Sequence, residues 1–225
     1  MRVAVLMPAL NEEQALPLVL ADLRRVHSGR VVVIDNGSTD RTAAVARAEG
    51  AELLREERRG YGSACLAGLA HLRQDPPDIV VFLDADRSDD ASELPILLAP
   101  ILRGEADMVM GERRTHAEAG ALTPAQRVGN RVAIAAMWAL VHHKYRDLGP
   151  FRALRWEALE RLGMSDPAFG WNVEMQMKAA RAGLRILELP VRYRRRGGGE
   201  SKISGTIRGT FRAGVGMLGA TWRHR

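Results

Sequence analysis

The stretch Ile79-Val80-Val81-Phe82-Leu83-Asp84-Ala85-Asp86 decides how the chain folds. Five apolar residues, three of them β-branched, have the length and composition of a strand buried on both faces. The run then breaks abruptly into two carboxylates. Comparable apolar runs stand at 2–7, 30–34, 51–54 and 106–110, and stretches of helical periodicity separate them at 14–26, 39–49, 63–73 and 92–103. Ser92 and Pro95 mark the start of the last. Strict alternation of this kind predicts an α/β fold, a mainly parallel sheet with helices on both faces. Ligands of such sheets bind beyond the carboxyl ends of the strands. The polar motifs fall there. Pro8-Ala9-Leu10-Asn11-Glu12-Glu13 follows the first strand, Asp35-Asn36-Gly37-Ser38-Thr39-Asp40 the second, Asp84-Ala85-Asp86 the fourth and Gly111-Glu112-Arg113-Arg114 the fifth.

Past residue 114 the alternation fades. A long helical stretch spans 124–143, and its stripe of Val132, Ala136, Ala139 and Val141 with Trp138 reads as a core-facing side, with a lipid groove as the alternative. A segment at 147–156 leads into helical patterns at 156–162 and 170–182, then a strand at 184–193 and a Gly-rich basic loop at 194–199. We read one domain over 1–204 and a basic amphipathic helix over 205–225. With 225 residues, 46% apolar and 27% charged, the chain is composed like a globular protein rather than a disordered one. No apolar run approaches the roughly 20 residues of a membrane-spanning helix, and the opening residues read as a strand rather than a secretion signal. The single Cys65 excludes an internal disulfide and a cysteine-based zinc site, and fits a cytoplasmic setting.

The net charge of +6 is unevenly placed: residues 192–225 carry +8, leaving the first 191 at −2. A basic tail on a near-neutral body points to a local anionic partner. In that tail Ile207, Phe211, Val215, Leu218 and Trp222 recur at helical spacing beside Arg208, Arg212 and Arg223. The stripe fits packing on the body or on a second copy, giving a homodimer. It equally fits a peripheral membrane contact with arginines toward anionic headgroups.

Asp84 and Asp86 are the sharpest chemical feature. On extended backbone residues i and i+2 point the same way, and two such carboxylates suit Mg²⁺ or Mn²⁺ holding phosphates. Asp35, ending another apolar strand, can accept hydrogen bonds from the N–H of a nucleobase. Gly60-Tyr61-Gly62-Ser63-Ala64-Cys65 has Cys65 where a dinucleotide fingerprint needs its third glycine. It reads instead as a helix start packed closely beside a ligand. A nucleotidyltransferase would need a glycine-rich basic loop after the first strand; here that loop is acidic and free of glycine. A non-catalytic binding module would have no need of both Asp84 and Asp86.

In this order, the motifs at 8–13, 35–40, 60–62 and 84–86 resemble family 2 glycosyltransferases of the GT-A fold. Asp147-Leu148-Gly149-Pro150-Phe151-Arg152-Ala153 and Gly199-Glu200-Ser201-Lys202-Ile203-Ser204 narrow the likeness to the branch holding dolichol-phosphate mannosyltransferase and other polyprenyl-phosphate glycosyltransferases. The resemblance spans roughly residues 3 to 212. It implies a metal-dependent inverting transfer from a nucleoside diphosphate sugar, UDP- or GDP-linked, to an acceptor such as polyprenyl phosphate at the inner face of a membrane, with no role for nucleic acid. The resemblance implies that Pro8, Ala9, Leu10 and Glu12 line the nucleotide pocket with Gly60 and Gly62, and that Asp35 holds the base. It places Asp84, Ala85 and Asp86, the DXD motif, at the donor, with Asp86 on the metal and Asp84 beside it. Arg113 and Arg127 match positions that contact phosphates, Asp147 and Arg152 fall on the acceptor side, and Lys202 closes over the site. A phosphate acceptor arrives already anionic; a hydroxyl acceptor would need a general base, for which Asp147 and Glu174 are the candidates.

Overall fold

The computed structural model describes residues 1–198; Lys202 and the expected helix at 205–225 lie outside the described residues. The chain runs β1 (Val3–Ala9), α1 (Leu16–Arg24), β2 (Arg30–Asp35), α2 (Thr42–Ala48), β3 (Glu52–Arg55), α3 (Tyr61–Leu72), β4 (Ile79–Phe82), α4 (Leu94–Leu102), β5 (Met108–Ala117), α5 (Pro124–Val141), β6 (Arg152–Arg155), α6 (Trp156–Leu162), α7 (Trp171–Arg181) and β7 (Ile186–Tyr193). The seven strands form one sheet in the order β3-β2-β1-β4-β6-β5-β7. Pairings β1–β2, β2–β3, β1–β4 and β5–β7 are parallel, and β6 runs antiparallel to both neighbours. The expected mainly parallel α/β sheet is thus present.

Strand alternation builds two cores. Ala4, Leu6, Val32, Ile34, Val80 and Phe82 face one layer, where Leu69 of α3 and Trp171 of α7 pack. The intervening Val5, Met7, Val33, Ile79 and Val81 face the other, against Leu16, Val19 and Leu23 of α1 and Leu97 of α4. Period-two side-chain direction on strands buried on both sides produces this division. Phe82 meets Trp171 edge-on at 5.9 Å between ring centroids.

Four local features depart from the sequence reading. The strand expected at 106–110 extends to Ala117. The segment 147–156 contains the short antiparallel β6, inserted between β4 and β5. The helix expected from Ser92 begins as a 3₁₀ turn, Ala91–Glu93, capped by Asp90, and becomes α-helical at Leu94. The expected stripe on α5 faces the core only in part: Val141 packs against it, Val132 and Trp138 are about half exposed, and the buried residues of the helix are Ala133 and Met137. α5 packs on α7 through this inner side, with Ile134 and Val141 partly buried against the core beside it. No helix among the described residues is long and apolar enough to cross a membrane.

Candidate active site

The strand order reverses direction between β1 and β4, the topological switch point where α/β sheets leave a crevice. The loops after β1, β2 and β4 converge there. The first two are laced together. Asn11, at φ 54°, donates its N–H to Ser38 Oγ (2.9 Å) and accepts from Thr39 N–H through Oδ1 (2.8 Å). Glu12 N–H donates to Thr42 Oγ1 at 2.8 Å. Pro8 and Leu10 are half-buried, and Ala9 and Glu12 are buried. Asp35 caps its own loop, with Oδ1 accepting Ser38 N–H at 2.9 Å. Asn36 reaches the other way: its amide donates to the Glu56 and Arg58 carbonyls and its Oδ1 accepts Gly60 N–H at 2.8 Å. A side-chain amide is needed there, because it both donates and accepts where a carboxylate could only accept. Gly60 (φ 142°) and Gly62 open α3 against the 166–168 turn; a Cβ at either would overlap the Pro167 or Asp166 carbonyl oxygen.

β4 ends at Phe82, so Asp84 stands just beyond the strand and Asp86 in the turn that follows it. Arg87, at φ 64°, completes the turn. Asp86 Oδ1 accepts from Ser88 N–H (2.8 Å) and Ser88 Oγ–H (2.5 Å). Its Oδ2 accepts from Arg196 Nη1 at 2.7 Å, and the same guanidinium pairs with Glu12. Gly197 N–H donates to the Asp86 carbonyl at 2.9 Å. Ala85 is buried beneath. Asp84 Oδ1 is sealed from solvent; the Tyr61 hydroxyl faces this carboxyl without forming a well-aligned hydrogen bond. Burial, then the Asp86 charge, pushes the Asp84 carboxyl up to about 7. Asp89, 1% exposed, has neither carboxylate oxygen hydrogen-bonded among the described residues, and burial followed by the Asp84 charge pushes its pKa well up.

The chemistry of the site suits a divalent cation. It offers hard oxygen donors, a buried carboxylate oxygen lacking a good partner, and a positive group, Arg196, already drawn onto Asp86 and Glu12. All three fit a site built for positive charge.

Behind the acid pair lies a buried ion pair. Asp147, 0% exposed, accepts from Arg113 Nε (2.7 Å), Nη2 (2.9 Å) and backbone N–H (3.0 Å), from Asn130 Nδ2 (2.9 Å) and from Leu148 N–H (2.8 Å). Arg113 also lies over the Tyr193 ring, 5.0 Å from its centroid. Glu188 holds the strand end from below, accepting Arg146 and Asp147 N–H. Arg127 is exposed in the first turn of α5. Arg152, expected at the acceptor side, and Glu174, a candidate general base, are as enclosed as Asp147. Arg152, 0% exposed, gives its guanidinium to the Gly149 and Asn172 carbonyls and to Met175 Sδ, so it braces the 147–151 turn from inside. Glu174 is equally buried and accepts from Ser165 N–H and Oγ–H, Asp166 N–H and Lys178 Nζ. Its carboxylate latches the 165–168 turn that Gly60 and Gly62 pack against.

Sequence reasoning missed Arg196, Tyr61, Asp89, Asn130 and Tyr193. The basic loop at 194–199 was the available signal for Arg196, but three consecutive arginines do not say which one turns inward. Arg194 pairs with Asp90, and Arg195 with the Ala119 carbonyl.

Comparisons with known proteins point to one family. The model of Glycosyl transferase family 2 matches residues 4–163. An uncharacterized glycosyltransferase of Mycobacterium tuberculosis is 44% identical over 213 residues, covering 93% of each chain. A dolichyl-phosphate hexose transferase of Haloferax volcanii is 38% identical, covering 89% of this chain and 86% of the relative. An undecaprenyl-phosphate mannosyltransferase of Micrococcus luteus is 34% identical, covering 93% and 90%. Among solved structures, glucosyl-3-phosphoglycerate synthase of M. tuberculosis in complex with Mn²⁺, UDP-glucose and phosphoglyceric acid superposes with a TM-score of 0.77 at 25% identity, covering 99% of this chain and 79% of that one.

Proposed function

Since the chain belongs to glycosyl transferase family 2, we propose that it moves a sugar from a UDP- or GDP-linked donor to polyprenyl phosphate, with inversion at the anomeric carbon, at the cytoplasmic face of a membrane. The observation that carries this reading is the acid pair Asp84/Asp86 at the switch point, met by Arg113 and Arg196. The relatives from H. volcanii and M. luteus, named for dolichyl and undecaprenyl phosphate, support the acceptor. The Mn²⁺ and UDP-glucose of the M. tuberculosis synthase support the donor and the metal.

The acceptor phosphate oxygen forms the new bond to the anomeric carbon as the bond to the nucleoside diphosphate breaks. Asp86 and Asp84 would hold Mg²⁺ or Mn²⁺, which when bound supplies positive charge for the departing diphosphate. Asp35 orients the base, and the loop of Pro8, Ala9 and Leu10 with Gly60 and Gly62 walls the nucleotide. Arg113 stays charged, because Asp147 fixes it and Tyr193 covers its face, and so presents a preorganised cation to phosphate oxygens. Arg127, exposed in the first turn of α5, would add positive charge for phosphates, the role also expected of Lys202. Arg152 and Glu174 act as positioning residues behind the 147–151 and 165–168 turns.

A second reading, a soluble hydroxyl acceptor, needs a general base. Asp147 and Glu174 are the candidates, and each is committed to four or more donors. Burial pushes the Asp147 carboxyl up, but the Arg113 charge and hydrogen bonds outweigh it and hold it below the usual carboxylate range, so it is a weak base. A phosphate acceptor avoids the difficulty. Incubation with labelled donor sugars and either undecaprenyl phosphate or phosphoglycerate, followed by mass spectrometry, tests the choice. Product on the lipid phosphate is expected, and product on the soluble hydroxyl alone would reverse it.

A further inference from the structure

Helix α5 carries a surface that the proposed reaction does not use. Ala133 and Met137 face inward. The opposite side presents Val128, Val132, Ala135 and Ala139, spaced i, i+4, i+7 and i+11, all open to solvent. Val128 is 58% exposed, Val132 50% and Trp138 48%. A soluble helix normally places charges on that side. Charge appears at the margins instead: Arg127, Arg131, Lys144 and Arg146 fall within 123–146, which holds no Asp or Glu. A cavity of about 300 Å³ beside the stripe is lined by Arg114, Arg131, Ile134, Trp138, Lys144 and Arg146. The same helix reaches the reaction centre, because Asn130 Nδ2 donates to the Asp147 carboxylate that fixes Arg113.

We propose that the outer face of α5 docks on an anionic lipid bilayer, with Val128, Val132 and Trp138 in the headgroup–acyl boundary and Arg131, Lys144 and Arg146 on lipid phosphates. Charge selects this occupant. A second copy meeting the same face across a two-fold axis would bring cation against cation. The tail at 205–225 is itself basic, so it shares the sign of the rim. An anionic surface complements both the apolar stripe and its border. For its purpose the inference rests on the membrane-borne acceptor proposed above; for its geometry it rests on α5 alone.

The test is co-sedimentation of the full chain with phosphatidylcholine vesicles containing about one part in four phosphatidylglycerol, against pure phosphatidylcholine. Binding to the anionic vesicles is expected. The pair Val132→Ser with Trp138→Ser should weaken it about tenfold or more, and Arg131→Glu should weaken it as well. Both sites are exposed, so the thermal midpoint and Mn²⁺-dependent donor binding should match the parent, which separates docking from folding. Vesicle binding unchanged in Val132→Ser/Trp138→Ser would overturn the proposal. So would loss only on Phe211→Ser with Trp222→Ser, or a dimer that dissociates when Trp138 is changed. Transfer to a short-chain prenyl phosphate in the absence of vesicles reads the acceptor separately. Failure there with α5-dependent vesicle binding intact upholds docking and removes the acceptor reading. Success there with no α5 effect on vesicles does the reverse.

Discussion

Removing Asp147 exposes how much of the site rests on one buried carboxylate. Asp147→Ala deletes the acceptor for five hydrogen bonds and leaves the Arg113 guanidinium, only 13% exposed, without its counter-charge. Breaking a buried ion pair from one side costs about 3–5 kcal/mol, a large share of the roughly 5–15 kcal/mol that holds a domain together. For a chain of this size the midpoint of thermal unfolding should fall by about 6–20 °C. Urea unfolding followed by the fluorescence of the buried tryptophans would read the loss. The pH dependence has a defined sign. Asp147 is held below its unfolded value, so its stabilisation is present above about pH 4 and fades as pH falls through that value and below; parent and variant should converge in acid. The double change Arg113→Met with Asp147→Leu removes both charges, and should recover most of the stability while leaving transfer abolished. A single variant losing under about 1 kcal/mol, or a double variant less stable than the single, would refute the reasoning.

Arg196→Met removes the guanidinium that competes for Asp86, so Mn²⁺ should bind the nucleotide-free protein about tenfold or more tightly, a charge-assisted hydrogen bond being worth about 1.5–3 kcal/mol; calorimetry showing weaker Mn²⁺ binding would contradict the assignment. Because the Asp84 carboxyl is pushed up to about 7, Mn²⁺ binding should release about one proton at pH 6 and few at pH 8, measurable from calorimetry in two buffers of different ionisation heat. The same raised value means that the metal-free protein loses stability as pH rises from about 4 through about 7. Gly62→Ala drives a methyl into the Asp166 carbonyl; it should destabilise by about 1–3 kcal/mol and weaken donor binding as the 165–168 turn shifts.

The first half of the fold was legible because its signals are local. Strands such as Ile79–Phe82 are apolar throughout, the helices between them are periodic, and the acids that follow break the pattern abruptly. Later elements depend on partners that sequence does not name. β6 is four residues long, and its antiparallel entry between β4 and β5 leaves no mark in composition. The stripe on α5 reads as core because Val132 and Trp138 are apolar; that the helix turns Ala133 and Met137 inward toward α7 instead is a property of the assembled fold. Charged residues divide in the same way. Asp84 and Asp86 announce themselves by following a strand. Arg152 and Glu174 lie inside, where backbone carbonyls and amides of neighbouring turns satisfy them, and such partners are invisible along the chain. Arg196 reaches Glu12 across 184 residues, which no local pattern could foretell.

The central claim is that Asp86, with Asp84 beside it, engages the nucleoside diphosphate through a divalent ion. Calorimetric titration of UDP- and GDP-sugars into the parent and Asp86→Asn, each with and without Mn²⁺, tests it most directly. The account predicts donor binding that needs Mn²⁺ and falls about thirtyfold or more in Asp86→Asn, the loss of a charged donor–metal contact being worth at least about 2 kcal/mol. Donor binding of equal strength with and without metal, or in parent and variant alike, would contradict it.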